Sequence, residues 1–291
     1  MFPRPFDYLA PESLDEVLAA LAAEPDDTKV LAGGHSLLPL MKLRLVAPRR
    51  LVDLRRLRGT LAYVRPEDGG LAIGALTTYY ALETDPLVSA RYPVLAETAG
   101  AIADLQVRNC GTIGGSLAHA DPAGDLPAVV LALDATLEAV SRQGARRLPI
   151  SEFFVDAYTT ALAPGELLTA IHLPAPAPRS GAAYAKFRHP ASGYAVVGVA
   201  ALLALDAAGR VATARVAITG VGEKPYRAQA AEAALTGASP TADTLRAAAA
   251  HAVDGVAPLE DLFASAEYRA HLTRVYAERA LARALARAQA A

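Results

Sequence analysis

Cysteine is almost missing from this chain of 291 residues, where Cys110 stands alone. A lone cysteine excludes an internal disulfide. It also excludes an iron–sulfur cluster held by this chain by itself, because such clusters need several thiolate ligands. The six histidines never fall at H-E-x-x-H spacing, which argues against a zinc site. A surplus of one charge is missing too. The net charge is -2, which leaves no basic footprint for nucleic acid. No apolar run approaches the roughly twenty residues of a membrane-crossing helix. Met1–Asp7 lacks the apolar core of a signal peptide, so the expectation is a cytoplasmic protein without a transmembrane segment. The dinucleotide pattern G-x-G-x-x-G and the P-loop are absent, as is the nucleophile elbow G-x-S-x-G. No internal repeat is visible.

What is present is a pair of matched stretches. Leu31-Ala32-Gly33-Gly34-His35-Ser36-Leu37-Leu38 lies near the N-terminus, and Arg108–Pro122 carries Thr112-Ile113-Gly114-Gly115-Ser116. Each is a glycine pair closed by serine among apolar residues. Without a Cβ, the backbone comes close to a large neighbour, and successive N–H groups in such a loop form a concavity that suits an anion. Two such loops suit the two phosphates of one pyrophosphate; two tight turns are the plain alternative.

In chain order, Ser13 reads as an N-cap with Glu16 completing a capping box. Leu14, Val17, Leu18 and Leu21 at helical spacing predict a helix to about Ala23. Thr28–Ala32 and Leu51–Leu54 read as strands. Pro39 breaks the segment Leu37–Arg44 into a short helix or turn. Leu61–Val64 and Leu71–Ile73 flank turn residues and predict a hairpin. Val94–Ala103 reads as a helix leading to the second glycine pair, which is expected to be a loop ended by Asp125-Leu126-Pro127. Thr136–Val140 and Glu166–Leu173 complete this part. Pro174–Gly181 is the densest proline stretch and reads as a stiff linker. Beyond it, Ala182–Arg188, Tyr194–Asp206 and Val211–Val221 predict three long strands. Ala228–Leu235, Thr241–Val253 and Tyr268 to about Arg287 predict helices. The fold class is α+β, with domains at 1–175 (subdomains about 1–55 and 56–175) and 176–291.

The two glycine stretches resemble the A-G-G-[HQ]-S and T-I-G-G-S loops of the FAD-binding medium subunit of molybdenum hydroxylases, aerobic carbon monoxide dehydrogenase among them. The resemblance covers nearly the whole chain. It implies a two-part FAD-binding domain of the PCMH/vanillyl-alcohol-oxidase type, then a C-terminal domain of a three-stranded antiparallel sheet and a helix cluster. It implies FAD on this chain, with [2Fe-2S] clusters on a small partner subunit and molybdopterin on a large one, in a dimer of heterotrimers. Electrons would then cross from the clusters to FAD and leave to an external acceptor. Carried over residue by residue, Lys29, Val30, Leu31, Ala32, Gly33, Gly34, His35, Ser36 and Leu37 match one pyrophosphate loop. Thr112, Ile113, Gly114, Gly115 and Ser116 match the other. Asp125 matches an acidic residue that holds a polar part of FAD, and Ile102 a residue near the adenine. Leu168 and Lys186 match positions near the flavin ring, and Tyr194 an aromatic packed over one flavin face.

Residue by residue, plainer readings stand beside these. Asp125 is placed to cap the helix after Pro127. Lys186 and Tyr194 suit an ordinary strand and core, and Leu168 and Ile102 suit any core. Arg108 is placed to pair with a phosphate, Glu97 or Asp104, and His119 with Asp121 to stabilise a turn. For the chain as a whole the alternatives are a self-contained FAD-dependent oxidase, with His119 or Tyr194 as acid/base group, and a non-catalytic assembly subunit.

Overall fold

The computed structural model describes residues 2–291. Its first layer runs β1 (Asp7–Leu9), α1 (Leu14–Ala23), β2 (Thr28–Leu31), α2 (Leu37–Lys42) and β3 (Arg50–Asp53). Three parallel strands pair in the order β1-β3-β2. The Ser13 hydroxyl accepts from Glu16 N and starts α1, whose Val17, Leu18 and Leu21 are buried. Glu16 reaches back to Glu12 N rather than to Ser13 N, a capping box displaced by one residue. Pro39 does not break α2. It sits in the first turn, where its missing N–H would have no partner within the helix.

The second part begins with α3 (Arg58–Leu61), β4 (Val64–Glu67) and β5 (Gly70–Gly74). The hairpin is tighter than expected: Leu61 closes a helical turn, and Asp68-Gly69 alone make the bend, both at positive φ, as a type I′ turn requires. A helical layer follows: α4 (Tyr79–Thr84), α5 (Pro86–Arg91), α6 (Pro93–Gly100), α7 (Leu105–Cys110), α8 (Ile113–His119) and α9 (Asp125–Ala132). Then come β6 (Thr136–Ser141), β7 (Gly144–Pro149), a small pair β8 (Phe154–Asp156) and β9 (Thr159–Thr160), and β10 (Leu167–Leu173). Strand β10 inserts between β5 and β6, giving an antiparallel sheet in the order β4-β5-β10-β6-β7. Burial on both faces explains why β10 reads Leu-Leu-Thr-Ala-Ile-His-Leu without alternation.

The third part holds β11 (Ser180–Arg188), β12 (Ala195–Leu205), β13 (Val211–Thr219) and β14 (Tyr226–Arg227), then α10 (Gln229–Leu235), α11 (Ala242–Ala250) and α12 (Ala266–Ala290). The three expected long strands are joined by a fourth of two residues, too short to leave a periodic signal. β12 is buried on both faces. Val197, Val199, Ala201 and Leu203 pack towards α12 with Ala280, Leu281 and Ala284. Ala200 and Leu202 face the opposite core, where α9 lies. Every residue of α9 is buried, Asp125 included, so this helix is the seam between the second part and the third.

Candidate functional site

The main correction concerns the second glycine pair. It is not a loop but the first turn of α8, with Thr112 as N-cap at extended φ and its hydroxyl accepting from Gly115 N at 3.1 Å. Glycine costs about 1 kcal/mol relative to alanine in a helix, and here packing sets the identity. A Cβ on Gly114 would lie 2.6 Å from the Ala75 carbonyl oxygen. The backbone N–H groups of Ile113 to Ser116 are all used within the chain. Ile113 N donates to Thr77 O, Gly114 N to Ala75 O and Ser116 N to Thr112 O.

The first pair behaves differently. A Cβ on Gly33 would overlap the Cys110 carbonyl oxygen and crowd Gly111, so Gly33 lets this loop lie directly on the α7–α8 connection. Gly34 has φ +74. Among the described residues, the N–H groups of Gly34, His35, Ser36 and Leu37 donate to nothing in the chain, and Ser36 caps α2 without a side-chain bond. The His35 ring instead donates from Nδ1 to Gly33 O. Four successive unused donors are the concavity that the sequence suggested for both stretches.

These two stretches border one cleft that is partly open to solvent. His35 and Ser36 line one side, Ser116 and His119 of α8 another, with Tyr79 of α4 between them. Ile102, Ala103 and Val107 line a third side, and Asp121, Gly124 and Asp125 the floor. Ser192, Gly193 and Tyr194, from the β11–β12 connection, reach over from the third part of the chain. Tyr79, Ala103, Val107 and the Ser192-Gly193 pair were not singled out from sequence. No local pattern marks them, because they meet only through tertiary packing.

The remaining candidates divide. Asp125 does not cap α9: Gly124 holds the N-cap position without a side-chain bond. The Asp125 carboxylate points instead across the seam, accepting from the Tyr184 hydroxyl at 2.6 Å and the Lys186 ammonium at 2.8 Å. Lys186 also donates to Ala101 O at 3.3 Å, so it stands directly behind the cleft floor. Ile102 lines the cleft, whereas Leu168 is buried in the core beside Ile171 and Leu137 and is not brought to it. Lys29, Val30 and Leu31 lie in β2 and lead to the first loop without lining the cleft. Leu37 begins α2; Ala32 and Thr112 stand behind the lining, as do the buried Ile113 and Gly114. Arg108 pairs with neither Glu97 nor Asp104. Its Nε donates to Glu83 at 2.9 Å and a terminal nitrogen to Ile102 O.

Burial dominates the electrostatics. Tyr79 is pushed up to about 12 by desolvation, although the Ser116 hydroxyl beside it pulls the other way. Desolvation lowers the His119 imidazole, opposed by Asp121, whose carboxylate is 3.9 Å away. The His119 ring lies tilted against that of Tyr158. Burial raises the Asp125 carboxyl, against the pull of Lys186 and Tyr184. Tyr194 is raised by burial and by Asp121, with Ser36 beside its hydroxyl. The cleft thus combines apolar walls, unused backbone donors at one end and a buried ion pair under its floor.

Among known proteins, the family described as the FAD binding domain in molybdopterin dehydrogenase matches residues 4–176. The CO dehydrogenase flavoprotein C-terminal domain matches residues 182–284. The 6-hydroxypseudooxynicotine dehydrogenase complex subunit alpha of Paenarthrobacter nicotinovorans is 43% identical over 99% of this chain and 97% of its own length. The carbon monoxide dehydrogenase medium chain of Afipia carboxidovorans is 40% identical over 99% of this chain and all of its own length. The solved carbon monoxide dehydrogenase of Hydrogenophaga pseudoflava that lacks the Mo-pyranopterin moiety contains a chain that superposes with a TM-score of 0.95 at 41% identity, covering 99% of both chains. With the fold, both domain matches and these full-length relatives in agreement, the chain belongs to the family of FAD-binding medium subunits of the molybdopterin-dependent dehydrogenases.

Proposed function

We propose that this chain binds one FAD without a covalent bond in the cleft and serves as the electron-transfer subunit of a molybdopterin-dependent dehydrogenase. Bound FAD would supply the redox chemistry, accepting electrons from the [2Fe-2S] clusters of a small partner subunit and passing them to an external acceptor. A large partner subunit would carry molybdopterin and oxidise the substrate. The lone cysteine fits this division, because the clusters must then be held elsewhere.

The observation that carries the reading is the run of unused N–H groups from Gly34 to Leu37 at one end of the cleft. Backbone donors that no carbonyl claims suit the phosphates of a dinucleotide, and a Cβ at Gly33 would disrupt the seat of that loop. The second glycine stretch then acts mainly by position. Its donors from Ile113 to Ser116 are satisfied internally, and it offers the Ser116 hydroxyl to the cleft. Ile102 would border the adenine. Asp125, fixed by Lys186 and Tyr184, would receive a hydroxyl of the ligand, and Tyr194 would lie against the flavin. Leu168 would act only through the core behind it. Residues 1–175 and 176–291 would act as two domains that share the cleft. Assembly as a dimer of heterotrimers in the cytoplasm completes the proposal.

The test is purification of the chain alone and as the native complex. Heat or acid should release FAD in stoichiometric amount from the chain alone, with no bound iron or labile sulfide. The complex should add iron, sulfide and molybdenum with the two partner subunits. Released FMN, flavin that stays attached to the polypeptide, or stoichiometric iron on the isolated chain would overturn the reading.

A further inference from the structure

The connection between β11 and β12, His189-Pro190-Ala191-Ser192-Gly193-Tyr194, is a built turn rather than a loose loop. Its root is closed by His189 N donating to Tyr194 O at 2.8 Å, and Gly193 N donates to His189 O at 2.9 Å. Gly193 has φ +75, a region that side chains other than glycine rarely adopt. Its position facing Ala103 brings the turn against the cleft wall. At the end of the turn, Tyr194 is 43% exposed and lines the cleft with its hydroxyl beside Ser36.

The centre of this turn is the His189 ring. Its Nδ1 faces two backbone donors, Ala191 N at 3.2 Å and Ser192 N at 3.1 Å. A ring nitrogen accepts only when it carries no proton, so the proton of this imidazole resides on Nε2. Nε2 is buried and has no hydrogen-bond partner among the described residues. The ring packs edge-on against Phe263, with planes at 88°. The geometry is that of an asparagine side chain that caps the N–H groups two and three residues ahead, with imidazole in place of the amide. An orphaned ring donor carries a desolvation cost. The other nitrogen meanwhile accepts from two N–H groups and so fixes the path of the turn.

We propose that His189 is the positioning residue for Tyr194: by accepting the Ala191 and Ser192 N–H groups at Nδ1, it holds the turn that keeps the phenol over the cleft, against the flavin. This rests on the reading that FAD occupies the cleft with Tyr194 against its ring. His189 touches neither FAD nor any reacting atom, so its effect passes wholly through the turn. A phenol stacked on a flavin quenches the flavin's fluorescence, and that emission reports the placement of Tyr194 without any turnover.

The experiment uses the full chain loaded with FAD and three variants. Tyr194→Leu sets the unquenched level, several-fold brighter than the parent. His189→Phe keeps a ring against Phe263 but has no acceptor, whereas His189→Asn keeps an acceptor at the right reach but loses the ring. The expected result is that His189→Phe rises to most of the Tyr194→Leu level while His189→Asn stays as dark as the parent. A parent-like His189→Phe, or an asparagine variant as bright as the phenylalanine one, would overturn the proposal. A measurement on the unsubstituted protein runs beside it. Nitrogen-15 NMR of labelled histidine at pH 8 should show His189 protonated at Nε2 alone, and a proton on Nδ1 would be equally fatal. If no variant binds FAD and neither does the parent, the function proposed above fails instead. Normal FAD binding with unchanged emission in His189→Phe refutes only the role of His189.

Discussion

Replacing Lys186 by methionine probes the seam beneath the cleft. Lys186 and Asp125 are 7% and 6% exposed in their side chains, with 2.8 Å between nitrogen and oxygen. At that distance two unit charges attract by roughly 6 kcal/mol if the effective dielectric constant is about 20. Removing both ions from water costs several kcal/mol each, so the pair itself adds little net stability. Removing one partner is different, because Asp125 stays buried with the Tyr184 hydroxyl as its remaining hydrogen-bond donor and the Arg188 charge as a weaker influence. Lys186→Met should therefore destabilise the flavin-free chain by about 3–5 kcal/mol at neutral pH. Tyr184→Phe should cost about 1.5–3 kcal/mol, the value of a hydrogen bond to a charged group. The double variant Lys186→Met/Asp125→Leu leaves no orphaned charge and should be more stable than Lys186→Met alone. The pH dependence has a definite sign. Burial already raises the Asp125 carboxyl, and losing Lys186 raises it further. The penalty belongs to the ionised form, so it shrinks as pH falls from 7 towards about 5 and the carboxyl takes up a proton. Urea unfolding followed by circular dichroism at both pH values measures all of this. A loss below about 1 kcal/mol for Lys186→Met at pH 7, or a double variant as unstable as the sum of the single ones, would mean that solvent reaches the pair and that the seam is not dry.

Two further outcomes are expected. In Gly33→Ala the new Cβ meets backbone atoms of Cys110 and Gly111, which cannot swing aside; overpacking of this kind costs about 1–3 kcal/mol, and FAD titration should show weaker binding than in the parent, whereas unchanged stability and binding would show that the two stretches separate freely. Asp53 accepts from the Tyr8 hydroxyl and from Arg55 N and Nε; burial pushes its carboxyl up, but these bonds and the Arg55 charge bring it below the ordinary 3.8. Its contribution is therefore present above that value and lost as pH falls through the lower folded value, so Asp53→Asn should be less stable than the parent at pH 7 and indistinguishable from it once both are acidified below that value; a gap that persists in acid would refute the ionic account.

Local order was legible wherever neighbours in sequence decide it. Ser13 and the Leu14, Val17, Leu18, Leu21 spacing predict α1, and the cap and buried face are found there. The long apolar runs after the proline stretch predict the strands that become β11, β12 and β13. The two glycine stretches were recognisable as places where backbone must come close to something. What they approach was not legible, because it depends on residues far away in the chain. Gly33 meets Cys110 and Gly114 meets Ala75, so much of the closeness serves the packing of the chain on itself. Two consecutive glycines argue against a helix by propensity, so the start of α8 at Thr112 was not legible, and only packing on Ala75 overrides that preference. The partners of Asp125 lie 59 and 61 residues downstream, beyond the reach of any periodic pattern. Tyr194 and His189 are close in sequence, but the imidazole's role depends on the fold of the turn and on Phe263 behind it. Residue types and short-range spacing set the elements and marked the stretches that approach the cleft. Long-range packing alone decided which N–H groups stay free, which charges are paired and which side chains line it, since a hydrogen bond or a buried charge has no meaning until both partners are in place.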